Sequence, residues 1–218
     1  MSKSLFCAAR RVHFRWLAAW GAVIAAAAYY PAASANDVYR VEEDWELVVA
    51  DPDATTVAPQ VTTSISPLGH INGLHASFEI NHRTVPSYSA GGLHFHVWNG
   101  ESRLSTRDDS SSAIVGQSGE VIRWTQRMTL IDNTLWLSVR EGTSSTWGSF
   151  GAEGNLRISM ETNLNNLNAY SSDVSVAQSG IGFASNRAES LVLKRVRRTY
   201  DNGQVVEDNT PRVVHQHE

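Results

Sequence analysis

Three groups of side chains in this 218-residue sequence have types and spacings suited to chemistry. The first is the acidic run Glu42-Glu43-Asp44-Trp45-Glu46. If the run is extended, Glu42, Asp44 and Glu46 share one face, because side chains alternate along a strand. A pair of carboxylates flanking a glycosidic bond can cleave it, one protonating the leaving oxygen while the other attacks or activates water. The Cα atoms of Glu42 and Glu46 would stand ~13 Å apart at about 3.4 Å per residue, so the side chains must lean together to reach the ~5 to 5.5 Å of a retaining pair. The alternative is a solvated acidic edge strand.

The second group is His94-x-His96, with His75 and Glu79 in a nearby run of the same period. If the two runs pair, three imidazoles and a carboxylate form a donor set for zinc or another divalent ion; the alternative is histidines on a polar face with no metal. His215-x-His217 could chelate a metal only if its surroundings order it. Asp51-Pro52-Asp53 opens like a calcium loop, but Thr56 stands where the loop needs glycine and no bidentate glutamate follows. There is no glycine-rich phosphate loop and no nucleophile elbow, and no other cofactor is implied.

The third group is distributed. Trp98, Trp136, Arg123, Arg127, Arg140 and Arg157 all fall out of phase with the apolar positions around them. If their strands share a sheet, its outer face is a platform of indole rings and guanidinium groups. Rings of this kind stack on sugars, and arginine forks match carboxylate or sulfate. The alternative is a set of cross-strand pairs that stabilises an exposed sheet, which fits a structural or protein-interaction domain.

The elements that must position these groups are strands. Leu74, Ala76, Phe78 and Ile80 alternate with His75, Ser77, Glu79 and Asn81, and Leu93, Phe95 and Val97 alternate with His94, His96 and Trp98. The same period of two recurs at Leu135, Leu137 and Val139 and at Leu156, Ile158 and Met160. Further strands are expected at 39–49, 60–66, 120–130, 172–177, 182–184 and 191–200, with Trp124 and Phe183 joining the core. Asp201-Asn202-Gly203 reads as a hairpin turn into Val205 and Val206. Residues 103–112 and 142–154 read as turns, and only 163–169 could hold a helical turn. The predicted fold class is all-β: an antiparallel, jelly-roll-like β-sandwich of about a dozen strands, one domain over 36–207, with 208–218 a polar tail that frays.

Ahead of this domain, Lys3, Arg10, Arg11 and Arg15 precede an apolar run from Trp16 to Tyr30, and Pro31 leads into Ala33-Ser34-Ala35. That order of charge, apolar run and small residues predicts a signal peptide over 1–35 and an extracytoplasmic protein with no membrane span after cleavage; the alternative is retention as an anchor. The whole chain has 18 basic and 22 acidic residues; the part beyond residue 35 has 14 basic residues against the same 22 acids, a net −8. Such a balance argues against a nucleic-acid partner. Cys7 is the single cysteine, so the exported chain has neither disulfides nor thiolate metal sites. Lys194 is its only lysine beside 13 arginines.

Ser179-Gly180-Ile181-Gly182-Phe183-Ala184-Ser185-Asn186-Arg187, followed by Leu191-Val192-Leu193-Lys194-Arg195-Val196-Arg197, resembles the closing strands of concanavalin A-like, laminin G-like sandwiches. Gly73-Leu74-His75-Ala76-Ser77-Phe78-Glu79-Ile80 is similar to an early strand of that superfamily. The chain as a whole is also similar to secreted bacterial proteins. The superfamily resemblance implies the sandwich fold and admits lectins, glycosidases, lyases and adhesion modules alike. The acidic run is similar to the catalytic strand of laminarinase-type glycosidases, which would make Glu42, Asp44 and Glu46 catalytic. Two features depart from that pattern: Glu43 replaces an aliphatic residue, and the run lies too near the start of the domain. The expectation is therefore a secreted, non-catalytic module for a polysaccharide or cell-surface glycan, using the tryptophan and arginine face, with a glycan-cleaving enzyme as the alternative.

Overall fold

The computed structural model describes residues 36–52, 60–81, 92–109, 115–152, 154–182 and 187–217. Residues 1–35, where a signal peptide is expected, and Asp53, Thr56 and Phe183 lie outside these. Among the described residues, thirteen strands form two antiparallel sheets packed face to face, and the protein is an all-β sandwich. The larger sheet orders β12 (Val205–Asp208), β11 (Ala188–Tyr200), β1 (Val38–Val49), β6 (Val121–Ile131), β7 (Thr134–Ser144) and β8 (Gly148–Phe150). β13 (Arg212–Gln216) also pairs with β11, and β9 (Arg157–Glu161) also pairs with β7. The smaller sheet orders β10 (Gly180–Ile181), β2 (Val61–Ile65), β3 (Leu74–Ile80), β4 (Leu93–Asn99) and β5 (Ser102–Asp109).

Alternation decides which side chains enter the core. Val41, Trp45, Leu47 and Val49 of β1 are buried, as are Ile122, Trp124, Met128 and Leu130 of β6. Leu135, Leu137 and Val139 complete that inner face, and Ala76, Phe78, Ile80, Leu93, Phe95 and Val97 meet it from the smaller sheet. Leu156 and Ile158 are buried too, whereas Leu74 at the start of β3 is only half-buried. Phe78 spans the two layers, edge-on to Trp124 at 5.5 Å and stacked on Phe150 at 5.9 Å. Trp124 in turn stacks on Trp45 at 6.4 Å. At 150 to 250 Å² per ring, each such aromatic contributes roughly 4 to 6 kcal/mol of transfer energy before ordering costs. Gly142 has no side chain because a Cβ there would lie 2.4 Å from the Phe150 ring.

Four sequence expectations are corrected. Residues 172–177 form a helix, α1 (Ser172–Ala177), and not a strand. Its alternating Val174 and Val176 mimic period two, but the buried residues are Ser172 and Ser175, three apart on one helical face. The chain just after the helix is tied to β2, since Ser179 Oγ accepts from the Ser64 amide at 3.0 Å and Ser64 Oγ donates to the Gln178 carbonyl at 3.2 Å. Residues 102–109 are strand β5 where turns were expected. As an edge strand exposed on both faces it has no apolar phase to read. The stretch 142–154, also read as turns, contains the end of β7 and the short β8.

The tail does not fray. β12 pairs only with Val196–Thr199 of β11, so the backbone groups of residues 190–193 need partners, and β13 supplies them. The hairpin before it forms as expected: Tyr200 N donates to the Gln204 carbonyl, Gly203 N donates back to Tyr200, and Gly203 takes φ +83°. That is the three-residue loop with a left-handed glycine.

Candidate functional site

Strand register lays the outer face of the larger sheet out as a grid. Arg40 of β1 faces Thr129 of β6, which faces Trp136 of β7, which faces Ser159 of β9. In the next row Arg197, Glu42, Arg127, Ser138 and Arg157 follow one another across β11, β1, β6, β7 and β9. The third row runs Arg195, Asp44, Thr125 and Arg140.

In one half of this grid every acid is neutralised. Glu42 accepts from Arg127 Nε at 2.7 Å and from Arg197 Nη1 at 3.4 Å. Asp44 accepts from Arg195 Nε at 2.7 Å and Thr125 Oγ1 at 2.8 Å. Glu46 accepts from Arg123 Nε at 2.7 Å and sits 3.5 Å from Lys194 Nζ. Burial alone would raise the Glu46 carboxyl, but the Arg123 hydrogen bond and the Lys194 and Arg123 charges hold it below the usual value. The acidic run is therefore not an edge strand, and each of its outward carboxylates is engaged by a cation. β1 is central, and its carboxylates are tied to strands on both sides. Arginines on β6 and β11 lie in register with the acids, which lets a central strand carry three of them.

The other half carries cations without acids. Trp136, Ser138 and Arg140 of β7, with Arg157 of β9, Arg127 of β6 and Arg40 of β1, line a groove of about 290 Å³. Arg157 lies over the Trp136 ring, 3.8 Å from its centroid, so cation–π attraction holds the guanidinium in place and covers one ring face. Arg127 is held by Glu42, but Arg40, Arg140 and Arg157 meet no carboxylate among the described residues. The Arg40 Nε is buried without a hydrogen-bond acceptor.

The expected platform is thus divided. Trp136, Arg127, Arg140 and Arg157 come together, Arg123 is engaged with Glu46, and Trp98 belongs to the smaller sheet. A period of two says which face a residue takes within its strand but not which sheet the strand joins. Arg40 and Ser138 were missed, although each lies in the same polar phase as residues that were named: Arg40 with Glu42, and Ser138 between Trp136 and Arg140.

The outer face of the smaller sheet brings Glu79, His94 and His96 together as expected, through pairing of β3 with β4. Each imidazole is already engaged. His94 Nδ1 is 2.8 Å from Asp108 Oδ1, and His96 sits between Thr106 Oγ1 at 2.8 Å and Glu79 Oε2 at 3.4 Å. Burial lowers the His94 pKa against the raising charge of Asp108. His75 is opposite Trp98 at the far end of the row, with its Nδ1 3.0 Å from the Gly73 carbonyl. Among the described residues no three His, Cys, Asp or Glu side chains are arranged to hold a metal ion. Trp98 donates to Ser77 Oγ at 3.0 Å and meets the His96 ring edge at 5.8 Å.

Among the acids of β1, Glu43 faces inward. Glu43 is completely buried, receiving hydrogen bonds from Tyr170 Oη at 2.7 Å and Trp45 Nε1 at 3.1 Å. Burial pushes its carboxyl up to about 7 against those hydrogen bonds. No sequence pattern marked it as a site residue, because Glu43 falls in the apolar phase of β1.

No family model and no curated protein matches the sequence. Among solved structures the chain is similar to Scytalido-glutamic peptidase bound to a peptide-based transition-state analogue. That match has 13% identity over 82% of this chain and 83% of that one, at a TM-score of 0.34. It is also similar to SCP-B of the Eqolisin family of peptidases, bound to the tripeptide Ala-Ile-His, with 13% identity over 82% of each chain and a TM-score of 0.30.

Proposed function

We propose that the chain is an exported, non-catalytic binding module that holds an anionic polysaccharide at the arginine groove around Trp136. One observation carries this reading. Arg40, Arg140 and Arg157 bring charge to one groove without a carboxylate partner, on a face where Arg123, Arg127, Lys194, Arg195 and Arg197 are all paired. Holding like charges ~10 Å apart costs about 0.4 to 2 kcal/mol per pair, depending on solvent and salt screening. A bound anion removes that cost. The groove is partly open to solvent, so a segment of a polymer can lie in it with the rest of the chain outside.

The test is titration of the mature protein with polygalacturonate, dextran sulfate and neutral dextran at low and high salt. The charged polymers bind and the neutral one does not, and binding weakens as salt rises. The double variant Arg140→Ala/Arg157→Ala loses at least tenfold in affinity, and Arg123→Ala stays near wild type. Equal binding by wild type and the double variant sinks the proposal.

A further inference from the structure

Ser138 sits at the centre of the groove. Its neighbours across the strands are Arg127 on one side and Arg157 on the other, while Trp136 and Arg140 are two residues before and after it on the same face of β7. Ser138 itself is 7% exposed. Its hydroxyl makes no hydrogen bond to any described residue and points, with the alternation of β7, to the same outer face as those arginines. The site therefore offers guanidinium donors from three directions and a hydroxyl at its floor.

That arrangement discriminates between anions by shape. A carboxylate is planar, and its two oxygens are satisfied by one arginine fork approaching in that plane. A sulfate or phosphate ester presents three terminal oxygens as a tripod, which takes donors from several sides at once. Charge adds to this for phosphate. Arg127 is balanced by Glu42, and Arg140 and Arg157 leave about two positive charges beside Ser138, which a phosphate monoester matches. A sulfate ester carries the same single charge as a carboxylate and is favoured by its shape alone. The Trp136 ring keeps Arg157 in place at 3.8 Å, so its donors are oriented before a ligand arrives. We infer that the position above Ser138 is a subsite for a tetrahedral ester anion, sulfate or phosphate, borne on the polysaccharide. This rests on the binding reading above and narrows it.

The experiment titrates four polymers into wild type, Ser138→Ala and Ser138→Thr: dextran sulfate, a phosphorylated mannan, polygalacturonate and neutral dextran. Inorganic sulfate and inorganic phosphate serve as competitors, and thermal melts confirm folding of each variant. Wild type holds an ester polymer at least tenfold more tightly than polygalacturonate at matched charge density. Ser138→Ala removes most of that preference without changing polygalacturonate binding, and Ser138→Thr, which keeps the hydroxyl, retains it. Preference for the sulfated or for the phosphorylated polymer, with competition by the matching inorganic ion, assigns the ester. If polygalacturonate binds as tightly as either ester polymer and Ser138→Ala changes nothing, the subsite is wrong while polyanion binding stands. If no charged polymer binds above neutral dextran, both readings fall.

Discussion

On the outer face of the larger sheet, β11, β1 and β6 carry acids and bases in register, while β7 and β9 turn Arg140 and Arg157 outward beside Trp136 and Ser138. In the first region each carboxylate receives cations from neighbouring strands. In the second the guanidiniums face one another across a groove. The same residue type thus serves two ends. Arg195 and Arg197 bind strands together through carboxylates, whereas Arg140 and Arg157 raise the potential of a surface without a carboxylate partner among the described residues. Apart from the Arg157 contact with Trp136, the second arrangement forms no ion pair among the described residues, and under the proposed function a ligand supplies the missing anion.

The steepest expected effect tests the acid that neither region includes. Glu43 is an acid without a paired cation, one residue from Glu42 and Asp44, which have theirs. Its folded pKa of about 7 lies above the ordinary 4.5, so its contribution is fully present below pH ~4.5 and is lost as pH rises through 7. The span corresponds to about 3 kcal/mol. Glu46 has the opposite sign: its lowered pKa adds stability above the ordinary value, lost as pH falls through the folded one. Denaturant melts from pH 4.5 to 8 should show stability falling across that range in wild type and a flatter profile in Glu43→Gln. An unchanged slope would mean that Glu43 is solvated.

Next in size is Glu42→Ala, which strips a nearly buried carboxylate from Arg127 and Arg197. It should cost about 2 kcal/mol in urea melts. The same variant frees Arg127 beside the groove, so polyanion affinity should rise as stability falls. A drop in both would show that the two regions act as one network. Arg157→Ala reverses the pattern, weakening dextran sulfate about tenfold, roughly 1.4 kcal/mol, with stability changed by less than about 0.5 kcal/mol. The smallest contrast is between tryptophans. Trp136→Ala should weaken binding a few-fold by releasing Arg157, and Trp98→Ala, on the other sheet, should leave it unchanged. Matching losses would place Trp98 in the ligand's path.

Much of the fold was legible residue by residue. Leu93, Phe95 and Val97, or Leu135, Leu137 and Val139, announce a strand and its buried side because a pleated backbone sends alternate side chains to opposite faces. The misreadings share a cause. β5 has no apolar phase because neither of its faces is in the core. β13 forms because β11 is longer than β12. The valines of α1 alternate, although the residues it buries fully are its serines. In each case a neighbour, and not the segment's own pattern, decides the outcome.

The amino-acid sequence by itself determined the all-β class, most of the strands, their inner faces, and the fact that Trp136, Arg127, Arg140 and Arg157 turn away from the core. Tertiary structure alone decided which of the polar-phase residues meet. Trp98 and Trp136 look equivalent in sequence and lie on different sheets; Arg123 and Arg157 look equivalent, and one finds Glu46 while the other finds an indole ring. The physical reason is that alternation is local, set by the backbone within a few residues. Sheet membership and register depend instead on burying apolar faces against partners far along the chain.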